Sequence, residues 1–376
     1  MKKVIVLGAG MVGSVIAADL NLDFHVTVAD ISQKNLDRLN EIHGIKTLIL
    51  DATDENKLKE AISDFDLVVG AVPGFLGYRV LQSVISMGKN IVDISFFPEN
   101  ALDLDDMAKT KDVTAIVDFG VAPGMMHFIL GYHNKTMQID SFTCYVGGLP
   151  VERTYPYEYK APFSPIDVIE EYTRPARLIE NGKEVIRHAL SEPELLDFDE
   201  IGTLEAFNTD GLRTLIKTMN IKNMKEKTLR YPGHIDKIKL LKDSGFFSED
   251  GIEINGLSIR PIDITNKVLF DKWKLNSEDD ELTVMRIIMK GKSKGRSIAL
   301  EYNMLDRRDR VTGFSSMART TGLACTGAVR LFLDGKYVRK GISPPEYLGE
   351  HQICYDYIMN FMKSRNINYL LTEKKL

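Results

Sequence analysis

Cysteine is scarce: only Cys144, Cys325 and Cys354 occur in 376 residues. An odd count without a C-x-x-C pair argues against a disulfide framework and against a cysteine-rich zinc site, so no metal is expected and a reducing cytoplasm is the expected compartment. No run of 18 or more apolar residues appears, so no transmembrane helix is expected. An excess of either charge is also missing. With 48 Lys and Arg against 53 Asp and Glu the formal net charge is −5, which supplies no global attraction to nucleic acid or to an anionic membrane, and neither is an expected partner. Internal repeats and low-complexity tracts are lacking as well. The 44% of hydrophobic residues that is present suffices for substantial cores in one large domain or two ordinary ones.

The start of the chain superficially copies a signal peptide, because Lys2 and Lys3 precede an apolar run from Val4 to Ala18. Its glycines point elsewhere: Gly8-Ala9-Gly10-Met11-Val12-Gly13 falls where a short Val/Ile strand turns into a helix. From there to Gly124 short β-rich runs alternate with helical ones, the pattern of a parallel sheet with crossover helices. Strands are predicted at Val4–Leu7, His25–Ala29, Thr47–Leu50, Leu67–Ala71, Asn90–Ile94 and Ala115–Asp118. Their aliphatic composition suits strands buried on both faces.

After Pro123 the texture changes. Ile139, Phe142, Cys144 and Val146 begin a new strand, followed by a turn-rich Gly147-Gly148-Leu149-Pro150. Ser164-Pro165-Ile166-Asp167 has the form of a capping box with proline at the first helical position, which predicts a helix up to Pro175. Thr283–Lys290 and Ser297–Leu305 flank a glycine- and lysine-rich turn and read as a hairpin. Gly313–Leu333 and Pro345–Arg365 read as helices that return to the first domain. The predicted fold class is therefore α/β: a doubly wound Rossmann domain from residues 1–125 plus 316–376, and a second α+β domain, 126–315, on a largely antiparallel sheet that binds substrate and joins subunits.

G-x-G-x-x-G alone is unspecific, but here it follows a strand, opens a helix, and has Asp30 lying 22 positions after Gly8. The first glycine permits a tight turn, the second lets backbone approach a pyrophosphate, and the third allows close helix–strand packing. Amides at the helix N-terminus hold phosphates. An acidic side chain at the end of the second strand accepts from ribose hydroxyls and repels a 2′-phosphate, so Asp30 favours NAD over NADP. Asp51, closing the third strand, and Ala71-Val72-Pro73, closing the fourth, stand at the sheet edge where cofactor binds; for Asp51 a helix cap is an equal reading.

Four further runs carry a resemblance: Asn90–Ser95, Gly120-Val121-Ala122-Pro123-Gly124, Gly147–Pro150, and Lys227-Thr228-Leu229-Arg230-Tyr231-Pro232-Gly233-His234. Together they are similar to the saccharopine dehydrogenase family, and most to its lysine 6-dehydrogenase branch. The resemblance spans nearly the whole chain. It implies a nicotinamide cofactor, at which Ala122 would join the glycine loop, chemistry at a carbon bearing an amine nitrogen, and a homodimer or higher homo-oligomer. Members acting on saccharopine resemble Pro-Asn-Arg-Asp-Ser where this chain reads Phe207-Asn208-Thr209-Asp210-Gly211, and Asp-Pro-Gly where it has Ala122-Pro123-Gly124. Without the arginine a second dicarboxylate arm loses its bidentate partner. Both departures favour a plainer amino acid such as lysine.

An amino-acid substrate needs its α-carboxylate held; Arg230 is the first expectation, with Tyr231 and Gly148 beside it, and Arg213 the second. Oxidation also needs a neutral amine from a group whose free pKa is about 10.4. Asp93, His127 and His234 are the candidate bases, with structural roles open for each. The leading reading is NAD-dependent oxidative deamination, with L-lysine attacked at its ε-carbon to give the semialdehyde, its cyclic imine and ammonia. A saccharopine- or carboxynorspermidine-type dehydrogenase is the alternative, and a non-catalytic NAD-binding regulator stands third. The basic stretch Lys222–Lys242, interrupted by Glu226 and Asp236, reads as a solvated face.

Overall fold

Six short aliphatic runs, β1 (Lys3–Leu7), β2 (His25–Asp30), β3 (Lys46–Ile49), β4 (Leu67–Gly70), β5 (Ile91–Asp93) and β6 (Thr114–Ile116), pair in parallel in a computed structural model. It describes residues 1–163, 165–276 and 278–376, with the backbone alone at Pro165 and Ile166. A further strand, Gly341–Ser343, pairs with β6, so the spatial order is Gly341–Ser343, β6, β5, β4, β1, β2, β3. Strand order reverses between β1 and β4, which opens a crevice beyond their carboxyl ends. β1 and β4 are buried as their composition predicts, whereas β3, at the sheet edge, is largely exposed. The Gly341–Ser343 strand escapes sequence reading because three residues carry no periodicity.

β7 (Gln138–Pro150) anchors the second sheet. It pairs antiparallel with Glu281–Ser293, which continues through the predicted hairpin into Arg296–Arg307, and parallel with Asn223–Arg230 on its other side. Gly202–Asn208 and Glu194–Phe198 extend that side antiparallel, and Ala176–Glu180 with Lys183–Arg187 branches from Asn223–Arg230. With Leu370–Lys375 beside Arg296–Arg307, this makes nine strands among the described residues, mixed but largely antiparallel. Two expectations need correction. Gly147-Gly148-Leu149-Pro150 is not a turn but the end of β7; a side chain on Gly147 would lie 2.6 Å from the Leu229 carbonyl oxygen, and on Gly148 2.6 Å from Pro162. These glycines serve close approach. The tail is not one helix but Pro345–Gly349 and Gln352–Ser364, after which Leu370–Lys375 returns to pair with Arg296–Arg307 on the second sheet rather than staying with the first.

The predicted capping residue Ser164 lies outside the described residues; the helix that follows is Pro165–Thr173. The helix Ser316–Leu333 ties the two sheets together. Its Gly322 rests on Val15 of the first helix, its Arg330 pairs with Asp19 at 3.1 Å, and its first amides, Ser316 and Met317, donate to Glu281 at the start of a second-sheet strand, both at 2.6 Å. One apolar cluster accordingly runs from Val6 and Val69 through Phe128 and Leu212 to Phe142 and Met285.

Candidate active site

A cavity of about 590 Å³ begins at the β1/β4 crevice and extends to the second sheet. Its first half is built by sequence-local geometry. Gly8 takes φ +116°, and the loop through Gly10, Met11, Val12 and Gly13 lines the cavity, as do Asp30, Asp51, Ala71, Val72, Pro73 and Ala122. A side chain on Gly13 would overlap the Gly8 carbonyl, whereas one on Gly10 would meet no protein atom within 4 Å. Gly10 is therefore open for something other than protein, which is how a dinucleotide-binding loop differs from a bare turn. Ala9 does not line the cavity; its amide donates to Asp30 Oδ2 at 2.6 Å, and Ser32 N donates to Oδ1 at 2.7 Å. The Asp30 carboxylate is thus held at the end of β2, facing the cavity. Asp51 accepts from the amide and hydroxyl of Thr53, at 2.9 and 2.7 Å, and the following helix is capped by Asp54 instead.

The second half draws on side chains far apart in sequence. Glu226, Thr228 and Arg230 alternate along one strand and so share a face, which the cavity meets. Opposite lie Phe163, Glu170, Glu171 and Arg174, and between them Thr209, Asp210 and Gly211. Arg230 is 2% exposed and each of its guanidinium nitrogens donates: Nε to Tyr172 at 3.0 Å, Nη1 to the Leu229 carbonyl at 2.9 Å, and Nη2 to Glu171 at 2.6 Å. Asp210 is held bidentately by Arg177, at 2.9 and 2.8 Å. Arg174 pairs with Glu170 at 3.0 Å and stacks on Phe96, and among the described residues its Nη1 has no hydrogen-bond partner. Glu226 is buried and has no ion pair among the described residues; Thr209 Oγ1 donates to it and lies 2.9 Å from Thr228 Oγ1. Burial pushes its carboxyl up to about 8, against the hydrogen bond from Thr209, and Glu171 and Asp210 add to the rise.

Several expected site residues are not brought to the cavity. His127 accepts at Nδ1 from the Gly124 amide, 3.2 Å, and its Nε2 lies 3.0 Å from the Leu212 carbonyl; burial pushes it down to about 4. His234 lies 2.9 Å from both the Tyr172 hydroxyl and the Tyr157 carbonyl, and burial, helped by the Arg230 charge, pushes it down to about 3. Both are neutral struts between elements. Tyr231 donates to the Pro150 carbonyl at 2.8 Å. Arg213 is locked on Asp118, at 3.0 and 3.2 Å, beneath the cavity wall. Asp93 is fully buried, accepts from Ser95 N at 2.9 Å, and is pushed up to about 8 by burial. Gly148, in contrast, does line the cavity.

The solvated face expected for Lys222–Lys242 needs the same correction: Glu226 and Lys227 are both buried, while Asp236 is exposed. No apolar/polar alternation marks this strand in the sequence, since Met224, Glu226, Thr228 and Arg230 on one face and Lys225, Lys227 and Leu229 on the other are both largely polar.

Two family profiles account for the chain: saccharopine dehydrogenase NADP binding domain over residues 4–116, and saccharopine dehydrogenase C-terminal domain over residues 119–367. The chain belongs to the saccharopine dehydrogenase family. Its resemblance to individual members is distant. Alpha-aminoadipic semialdehyde synthase, mitochondrial, of Bos taurus is 23% identical over 420 residues, covering 92% of this chain and 45% of that protein. Saccharopine dehydrogenase (NADP(+), L-glutamate-forming) of Saccharomyces cerevisiae is 27% identical over 272 residues, 67% of this chain and 60% of that protein. The chain thus spans about half the length of these relatives. The solved apo saccharopine dehydrogenase (L-Glu forming) of Saccharomyces cerevisiae shares the fold, with a TM-score of 0.79 at 21% identity over all of both chains. The first sheet with its glycine loop is the family's dinucleotide-binding domain. Among the described residues no cluster of three or more His, Cys, Asp or Glu is placed to hold a metal ion, and no helix is long and apolar enough to cross a membrane.

Proposed function

We propose that this family member is an NAD-dependent dehydrogenase that deaminates an amino acid oxidatively, with L-lysine attacked at its ε-carbon, releasing ammonia and the semialdehyde that cyclises. The observation that carries the reading is the charge of the substrate half: Asp167, Glu170, Glu171, Asp210 and Glu226 line it against Arg174 and Arg230. Glu170 is paired with Arg174, Glu171 with Arg230 and Asp210 with Arg177, while Glu226 has no ion pair among the described residues and is left to meet a cationic amine. Gly8 to Gly13, Asp30 and the Ala71–Pro73 turn would hold the dinucleotide, whose nicotinamide, when bound, accepts a hydride. Asp30 disfavours a 2′-phosphate, and among the described residues the cations lining the cavity, Arg174 and Arg230, both stand in the other half. Arg230, the first expectation for the substrate carboxylate, has its donors engaged by the protein; Arg174, with an unpartnered Nη1, takes that role here.

The names of the relatives favour a second reading, reduction or cleavage of a secondary amine with NADP. Thr209 supports the first: it provides no cation for a second dicarboxylate arm. Incubating the protein with NAD or NADP and with L-lysine, cadaverine or saccharopine, and following absorbance of the reduced cofactor, separates the two. Turnover of saccharopine with NADP but not of lysine with NAD would replace the first reading with the second. Assembly as a homodimer or larger homo-oligomer through the second sheet belongs to the same proposal, supported by the edge strand Leu370–Lys375, all six residues of which are exposed. A monomer in light scattering at micromolar concentration would remove it.

A further inference from the structure

None of the expected bases reaches the cavity, yet the chemistry requires an amine freed of its proton. The cavity floor offers a different group. Glu226 lies midway along Asn223–Arg230, with Thr228 and Arg230 on the same face. Thr209 orients its carboxyl from the neighbouring strand's end, and Gly211 closes over it; a side chain on Gly211 would lie 2.5 Å from the Glu226 carboxyl carbon. The charged groups around it are accounted for. Glu171 reaches in from the helix Pro165–Thr173 but is paired with Arg230, Asp210 is paired with Arg177, and Cys144, opposite in register on β7, is a buried thiol. Glu226 is left as a buried carboxyl on an open cavity with no ion-pair partner among the described residues. A buried charge without a counter-ion is costly, so the free carboxyl keeps its proton up to about pH 8 and ionises readily only when a ligand supplies the counter-ion.

We propose that Glu226 is the acceptor for the substrate amine: it holds the cationic nitrogen and takes one proton from it. This rests on the reading of the cavity as a site for amine oxidation and names its catalytic base. In the step an N–H bond of the ammonium breaks, the electron pair stays on nitrogen, and an O–H bond forms on Glu226; nothing is oxidised or reduced until the neutral amine gives up hydride. For the free groups this transfer is uphill by about six pH units. Burial acts on both partners in the helpful direction, raising the carboxyl to about 8 and lowering the amine.

The test is calorimetric, so it does not depend on turnover. Full-length protein saturated with NADH is titrated with L-lysine and, separately, with cadaverine between pH 6.5 and 9, using wild type, Glu226→Gln and Glu226→Asp. Wild-type affinity is expected to rise with pH up to about 8, by as much as ten-fold per pH unit, because binding the amine expels one proton. Glu226→Gln should bind both amines at least ten-fold more weakly at pH 8 and lose the pH dependence, with NADH affinity unchanged and cooperative unfolding retained, and Glu226→Asp should restore the pH dependence. Equal affinity in wild type and Glu226→Gln, or an unchanged pH slope, overturns the proposal whatever the protein oxidises. If wild type fails to oxidise L-lysine with NAD but binds cadaverine through Glu226, the lysine reading falls and this one stands. A wild type that binds neither amine overturns both.

Discussion

The cofactor half of the cavity is supplied chiefly by turns that follow β1, β2, β3 and β4, within the first 73 residues. The substrate half is supplied by side chains from the helix Pro165–Thr173, from Thr209 to Gly211 and from Asn223–Arg230, carried on different elements. In the first half a glycine or an aspartate acts through the local path of the chain. In the second a residue's role is set by its partner: Arg230 and Arg174 are the same residue type on facing walls, one with every guanidinium nitrogen bonded and one with an Nη1 that has no partner among the described residues. A motif therefore identifies the first half, and only a list of partners identifies the second.

The largest effect should come from breaking a partnership in the substrate half. Glu171→Gln removes the carboxylate from the buried Arg230; leaving a buried cation uncompensated typically costs about 3–5 kcal/mol. Chemical denaturation should show that loss. Full stability would mean that Arg230 relies on its tyrosine and carbonyl partners alone and is free to take a substrate carboxylate.

Next is Gly10→Val, which tests whether the first half acts through space left for a ligand. Its side chain would meet no protein atom within 4 Å, so stability should be retained while NADH affinity, read by fluorescence, falls by about 100-fold or more. Gly13→Val is the counterpart: its side chain would collide with the Gly8 carbonyl, so it should lower stability. Loss of folding in both variants would erase the distinction between a cradle and a packing contact.

Asp30→Ser should weaken NAD binding and admit NADP, lowering the NAD preference by roughly 10–100-fold, since charged hydrogen bonds are worth about 1.5–3 kcal/mol. Comparison of kcat/KM for the two cofactors, or of affinities for their reduced forms, measures it. An unaltered ratio would move cofactor selection away from β2.

The smallest effect concerns pH. Asp93 and Glu226 are pushed up to about 8 by burial, and Glu281 and Glu346 to about 7. A carboxyl whose pKa is higher in the folded state contributes stability at low pH that is lost as pH rises through the folded value. The buried histidines His127, His133 and His234 act oppositely, but only below their unfolded value of 6.5. Between pH 6.5 and 8 the carboxyls act alone, so stability should fall, and Glu226→Gln should flatten the fall by up to about 1.4 kcal/mol per pH unit. Parallel wild-type and variant curves would mean that Glu226 is ionised throughout.

The sequence by itself determined the βαβ alternation, the glycine loop, the place of Asp30, the hairpin and the second sheet, because each is a property of neighbouring residues: strand periodicity, turn chemistry and the φ that only glycine adopts easily. Short or edge elements, Gly341–Ser343 and Leu370–Lys375, exist through pairing with distant strands and leave no periodic trace. The same reason separates the residues of the site. Asp93, His127 and His234 look like bases in a sequence because their chemistry is that of bases; tertiary packing buries them among fixed partners away from the cavity. Glu226 looks like one acid in a basic stretch, and only the register of Asn223–Arg230 against β7, with Thr209 placed over it, turns its carboxyl toward the cavity. A side chain's chemistry is written in the sequence, but its charge state and its availability depend on what folding puts next to it.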